Sequence, residues 1–283
     1  MRALLLPFLS AALLAACTTS GGTGDDDDDG SSPTPTPTWS VLMTGDWTLP
    51  AYSEDTADVH QKTMDRTVYI GGIRPIAPLG THHTVLYLGS PAGTNMIYAS
   101  GVGTGEIVFP EGVGLKLNQG QLISLELHIF NTSDTELSGT SGVEILEVSA
   151  ADVEQEADIF LPGPLSLSIP PSQTHTVTDP CVLNAPANFF AIFPHMHQLG
   201  THFKTTLTIN GTTRVLHDAP YYFDQQYFTP FTPIAMGAGD TITTECTWNN
   251  TTTQTVEWGE SSNEEMCFSI LYRWPAQAAT FCF

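Results

Sequence analysis

The 283-residue chain reads as an all-β protein built from antiparallel sandwiches of the jelly-roll or immunoglobulin-like kind. Three observations predict this. Short runs rich in Val, Ile, Thr, Phe and Tyr recur along the chain, clusters of Gly, Pro, Asn and Asp separate them, and no window of a dozen residues keeps a 3.6-residue apolar period.

The expected strands, in chain order, are residues 67–70, 84–88, 106–109, 122–130 and 142–148, then 189–193, 203–209, 241–248 and 268–274. Asn210-Gly211, between Leu207-Thr208-Ile209 and Thr213-Arg214-Val215, is a hairpin signal, because both central residues of a type I′ turn need positive φ. Residues 150–156 are expected to make one or two helical turns. The Pro-rich stretch Leu161-Pro162-Gly163-Pro164 marks a boundary between two sandwiches.

The first residues are not expected to belong to the fold. Arg2 precedes an apolar run at residues 3–14 that is too short for a membrane span, and Leu14-Ala15-Ala16-Cys17 resembles a bacterial lipobox. On that reading residues 1–16 are a signal peptide and Cys17 is lipidated. The chain is then anchored in the bacterial cell envelope, with Thr18 favouring the outer membrane over retention at the inner one. Residues 17–40 read as a tether. Asp25 to Asp29 repel one another without the alternating spacing of a calcium loop, and Pro33-Thr34-Pro35-Thr36-Pro37 favours extended polyproline II.

A net charge of −22 with only eight Lys plus Arg excludes nucleic-acid binding. With Cys17 assigned to lipid, Cys181, Cys246, Cys267 and Cys282 can form two disulfides in an oxidising compartment, with three pairings open. All four lie in the second half, a hint of two domains. Arg66, Arg74 and Arg273 are scarce cations expected to pair with carboxylates.

The histidines carry the chemistry. His195 and His197 end an apolar run, and in a strand residues two apart share a face, so both imidazoles can reach one metal while Met196 packs away. His82 and His83 are adjacent and would face opposite ways in a regular strand. They follow Pro78-Leu79-Gly80, where irregular backbone can turn both inward. His128 shares a strand face with Glu126 and Ser124, and its expected partner is the His82-His83 pair. Met266 sits in a polar run just before Cys267, an unusual place for a core methionine. A thioether beside two imidazoles makes a soft site that favours Cu(I) over zinc or magnesium. His202, close behind the His-x-His, is a candidate to support its imidazoles, whereas His60, His175 and His217 read as surface or turn residues.

The order His-His, strand His, His-x-His, Glu265-Met266-Cys267 and a terminal Cys resembles the copper type II, ascorbate-dependent monooxygenases over roughly residues 45–283. The resemblance implies two tandem antiparallel jelly-roll β-sandwich domains, residues 41–157 and 158–283, each holding one copper across an open cleft. It implies an electron-storing copper at His82, His83 and His128, and a catalytic copper at His195, His197 and Met266. It also implies disulfides Cys181–Cys282 and Cys246–Cys267. The implied reaction hydroxylates a C–H bond of a small organic substrate, using dioxygen and two one-electron reductions from ascorbate or another reductant. The alternative is a copper-binding or storage lipoprotein without turnover. Peptide-amidating members hold a carboxylate with an arginine two residues before the His-x-His, and with an asparagine and a tyrosine two and four residues after the methionine. Phe193, Phe268 and Ile270 stand there instead, so an apolar or aromatic substrate is expected. The first domain lacks the cysteines that brace animal members, and Ile129 stands where a tyrosine commonly follows the strand histidine.

Overall fold

Alternation of buried and exposed residues sets the sheets. In Thr241–Asn250 every second residue, Ile242, Thr244, Cys246, Trp248 and Asn250, is buried, while its neighbours face outward. The computed structural model describes residues 38–91, 95–277 and 281–282. The chain divides into Met1–Thr36 and the unit Pro37–Phe283. The expected signal peptide, Cys17 and nearly all of the tether lie outside the described residues. Trp39 and Ser40, expected at the end of the tether, begin the first strand.

The first half contains β1 (Trp39–Leu49), β2 (Ser53–Thr63), β3 (Val68–Ile76), β4 (Thr81–Leu88) and β5 (Met96–Ala99). It continues with β6 (Ile107–Val108), β7 (Val113–Leu117), β8 (Leu122–Asn131), β9 (Leu137–Val148) and β10 (Gln155–Glu156). These pair only among themselves, as a six-stranded sheet β1-β9-β3-β7-β10, with β6 on β3, and a four-stranded sheet β2-β8-β4-β5. The second half contains β11 (Asp158–Pro162), β12 (Ser168–Ile169), β13 (Gln173–Val182), β14 (Ala187–His195), β15 (Gly200–Ile209) and β16 (Thr212–Pro220). After these come β17 (Thr229–Met236), β18 (Thr241–Asn250), β19 (Val256–Glu257), β20 (Phe268–Trp274) and β21 (Phe281–Cys282). Its sheets are β17-β14-β20-β11-β21, β13-β18-β15-β16 and the pair β12-β19. The protein is therefore all-β and sandwich-like. No α-helix occurs among the described residues, and no helix there is long and apolar enough to cross a membrane.

The halves repeat one structural device. Asn131, at the end of β8, donates through Nδ2 to the carbonyls of Leu49, Pro50 and Thr135 and accepts from Ser133 through Oδ1. Asn250, at the end of β18, donates to Ile169, Pro170 and Gln254 and accepts from Thr252 in the same way. Both asparagines are almost fully buried and satisfy backbone carbonyls that would otherwise be costly to bury. The left-handed residues Tyr52 and Ser172 occupy matching places three residues after Leu49 and Ile169.

A continuous apolar core joins the halves. Phe109 packs 5.3 Å from Phe190 and 5.0 Å from Tyr272, and Tyr98 stacks 6.0 Å from Phe228 (ring centroids). The Tyr272 hydroxyl donates to the Ile97 carbonyl at 3.1 Å, so even this buried phenol is satisfied.

Asn210 (φ 51°) and Gly211 (φ 78°) form the β15–β16 turn. Residues 150–156 form only a 3-10 turn, Ala150–Asp152, capped by Ser149, before the chain returns to strand as β10. The stretch 161–164 lies inside the second sandwich, because Leu161 and Pro162 pair with Phe281 and Cys282. Both disulfides, Cys181–Cys282 and Cys246–Cys267, are formed. Arg66 pairs with Glu147, Arg74 with Glu144 at 2.7 Å, and the buried Arg273 with Asp158 at 2.8 Å.

Candidate metal centre

Adjacent histidines both face inward because β4 bulges. In its pairing with β8, Thr81 sits opposite Ile129 and His83 opposite His128, so His82 is the extra residue. Gly80 (φ 101°) supplies the entering turn. His82 and His83 are both buried and their rings stack at 3.8 Å. The His128 ring lies 4.4 Å from His82 and 5.4 Å from His83.

His195 ends β14 opposite Phe268 of β20, and His197 lies just beyond the strand. Their rings are 5.2 Å apart. Met196 between them turns away into a separate apolar cluster with Phe203 and Trp248, as expected. Met266, two residues before β20, arrives at the same end of the sheet, and the Cys246–Cys267 bond anchors its neighbour to β18.

The two histidine sets are not separated by a cleft. His83 lies 5.1 Å from His195 and 5.9 Å from His197, and His82 lies 5.8 Å from His197. One ring nitrogen each of His82, His83 and His128 falls within 4.8 Å of the others, and the same holds for His83, His195 and His197. The expected open cleft is thus replaced by one five-histidine cluster, closed by the core shared between the halves.

Each imidazole is oriented by a partner on its other nitrogen. Nδ1 of His83 donates to the Ser100 carbonyl (2.8 Å), Nδ1 of His195 to Gln226 Oε1 (2.9 Å) and Nδ1 of His197 to the Glu264 carbonyl (3.0 Å). His82 Nδ1 meets Ser262 Oγ at 2.9 Å, and His128 uses Nε2 toward Glu54 Oε1 at 2.7 Å. A carbonyl or carboxylate can only accept, so in His83, His128, His195 and His197 the opposite nitrogen is left with its lone pair, whereas the Ser262 hydroxyl can serve His82 as donor or acceptor. His82 Nε2 and His197 Nε2 are buried and hydrogen-bonded to nothing. Burial pushes the pKa values of His82, His83 and His128 down, and those of His195 and His197 to about 4 and about 3, so all five are neutral at neutral pH. Neutral imidazoles with converging nitrogens, and Met266 lining the same cavity, fit copper.

Glu54 and Glu265 support the centre from opposite sides. Burial would raise the Glu54 carboxyl, but hydrogen bonds from Ser262 and His128 outweigh it and hold its pKa low. Besides His128, Glu54 accepts from Ser262 N (2.9 Å) and Ser261 Oγ (3.0 Å), crossing from the first half to the second. Glu265 is fully buried and accepts from His197 N, Leu199 N and Trp248 Nε1, fixing the backbone that carries His197. Its pKa is pushed up to about 7 by burial, against these hydrogen bonds.

A cavity of about 500 Å³ opens on His83, His128, His195, His197 and Met266. Val85, Phe268 and Ile270 form apolar wall, while Glu126, Glu260 and Tyr87 supply its polar end. Tyr87 donates to Glu126 at 3.2 Å, and burial and Glu260 both raise the Glu126 pKa. Phe193 is buried in the core beneath.

His202 does not support the centre, because its Nε2 pairs with Asp218 at 3.0 Å on the sheet surface. His60 pairs with Asp58, His175 is a partly exposed residue of β13, and His217 packs on Phe203. Glu54, Ser100, Gln226 and Ser262 were not singled out from the sequence. They lie 17 to 180 residues from the histidines they orient, where no short motif could show them.

Fold and site together define an all-β sandwich protein with a buried histidine-rich centre suited to a redox metal. The model of the copper type II ascorbate-dependent monooxygenase C-terminal domain matches residues 155–283, which contain His195, His197 and Met266. Tyramine beta-hydroxylase from Caenorhabditis briggsae is 24% identical over 216 residues, covering 68% of this chain and 36% of its own length. Both similarities support the family resemblance of the sequence and point to copper and ascorbate. A solved structure, dimeric latent PorU from Porphyromonas gingivalis, aligns with 77% of this chain and 24% of its own at 11% identity. Its TM-score of 0.19 carries no weight for the fold.

Proposed function

We propose that this chain is a copper-dependent monooxygenase that hydroxylates a C–H bond of a small organic substrate. The observation that carries the reading is the set of five buried, neutral, individually oriented imidazoles, placed with Met266 at the end of an apolar-walled cavity. The two sandwiches are read as tandem jelly rolls, residues 41–157 and 158–283. The repeated asparagine corner supports a common plan.

Copper held by His82, His83 and His128 would supply electron storage, and copper held by His195, His197 and Met266 would supply the oxygen chemistry. The balance is one C–H bond, one dioxygen, two electrons and two protons, giving C–OH and water, with ascorbate or a similar one-electron donor as reductant. The chain's own residues prepare the site. Ser100, Gln226 and Glu264 hold the Nδ1 protons so that the Nε2 lone pairs point inward, and Val85, Phe268 and Ile270 seat an apolar body. Glu126 and Glu260 favour a cationic end and disfavour an anionic one. An aromatic amine fits this lining better than a peptide carboxylate, in line with the tyramine named for the relative. Lipidation of Cys17 would tether the enzyme to the cell envelope.

The test is oxygen uptake by the copper-loaded protein with ascorbate, across aromatic amines and their neutral and carboxylate counterparts. Amine-dependent uptake with hydroxylated product is expected. Two bound coppers with no substrate-dependent uptake would replace this reading with a copper-binding protein.

A further inference from the structure

His83 belongs to two ligand groups at once. One of its ring nitrogens lies within 4.8 Å of those of His82 and His128, and also within 4.8 Å of those of His195 and His197. Its ring is nearer to His195, at 5.1 Å, than to His128, at 5.4 Å. One imidazole lone pair binds one ion, so in this closed arrangement the two groups cannot both be complete.

We propose that His83, His195 and His197 form an alternative metal site, bridging the two sandwiches and exclusive of the two copper sites, for a divalent ion that takes three imidazoles, such as Zn²⁺ or Cu²⁺. Three observations build it. In each residue Nδ1 is engaged by an oxygen, from Ser100, Gln226 or Glu264, so all three offer Nε2. His197 Nε2 is buried without a hydrogen-bond partner. All three histidines border the cavity, which leaves an open fourth position as in three-histidine zinc sites. The ion would clamp the halves together alongside the Glu54 bonds to Ser261 and Ser262. It would also withdraw His83 from the first group and leave His82 and His128 as a weak two-nitrogen site. Zinc, which has no redox chemistry, would thus hold the protein closed and compete with loading of two coppers.

The site uses the histidines of the reading above but not their turnover, so it is tested with zinc alone. Zinc affinity is measured on the full metal-free chain by competition with a chromophoric chelator, with thermal unfolding confirming each variant's fold. The variant His82→Ala/His128→Ala is expected to keep one tight zinc, and adding His83→Ala should weaken it by about 10-fold or more. If the alanine triple fails to fold, His83→Gln on the same background, which keeps a polar side chain beside Ser100, makes the comparison. Equal zinc affinity with and without His83, or no tight zinc in the double variant, would overturn the proposal. Loss of oxygen uptake alone would overturn only the monooxygenase reading.

Discussion

Glu54 of β2 and Ser262 of the second half are hydrogen-bonded to each other, and each also meets a histidine of the first half. Ser262 N donates to Glu54 Oε1 at 2.9 Å, while Glu54 orients His128 and Ser262 Oγ meets His82 Nδ1. His82 is therefore met directly by a loop of the second half, the loop that also delivers Met266, and His128 is tied to the same loop through Glu54.

Replacing Glu54 with Ala removes three hydrogen bonds to a carboxylate and leaves His128 without its orienting acceptor. Urea unfolding should show a loss of at least about 2 kcal/mol, the contribution of a single bond to a charged group. Copper bound by the first-half histidines should weaken about 10- to 100-fold, as when an orienting partner is lost. Unchanged copper affinity would mean that the Glu54 contact does not shape the site.

Gln226 offers a second, independent lever. Gln226→Leu removes the acceptor for His195 Nδ1, and copper affinity at the second-half site should fall about 10- to 100-fold with little change in fold. Gly101→Ala should act in the same direction, because a Cβ there would come within 2.4 Å of Gln226 Oε1. Isothermal titration of each variant with Cu(I) checks both. A Gly101→Ala protein with normal affinity would show that Gln226 can shift without cost.

The two disulfides should separate stability from chemistry. By loop-closure entropy, losing Cys181–Cys282, which spans 101 residues, should cost about 5 kcal/mol, against about 3 kcal/mol for Cys246–Cys267, which spans 21. Only the second adjoins Met266. Cys246→Ala/Cys267→Ala should therefore lose more turnover than Cys181→Ala/Cys282→Ala while remaining the more stable, measured by oxygen uptake and denaturant unfolding.

Which strands were legible follows from their place in the sheets. β3, β4, β8, β9, β14, β15, β18 and β20, all read from the sequence, have neighbours on both sides and show either an apolar run, as in β14, or the alternation of a strand with one buried face, as in β18. β1, β2, β13 and β17 are edge strands and were missed. An edge needs little apolar surface and tolerates Pro, so Ser53–Thr63 looks polar, and Thr229–Met236 holds two prolines. β7 and β11 were missed despite inner positions, because Gly114 and Lys116 break up the apolar residues of β7, and β11 runs into Pro162 of the stretch read as a boundary. At the centre, the ligand candidates were legible because each sits in a short motif. Their orienting partners were not, since Glu54 and Ser262 meet across 208 residues. Nor does alternation reveal the bulge at His82 or the closeness of His83 to His195, which depend on how the two sandwiches dock.

Replacing Met266 with Ile keeps the volume and removes the sulfur. It should spare copper at the histidine-only site and abolish turnover.

X-ray absorption of the Cu(I)-loaded protein, wild type beside Met266→Ile, reads the ligands of both coppers without needing a substrate. Two coppers per chain are expected, with nitrogen neighbours throughout and one sulfur neighbour in the wild type that disappears in Met266→Ile. Identical spectra with nitrogen and oxygen neighbours only would contradict this expectation.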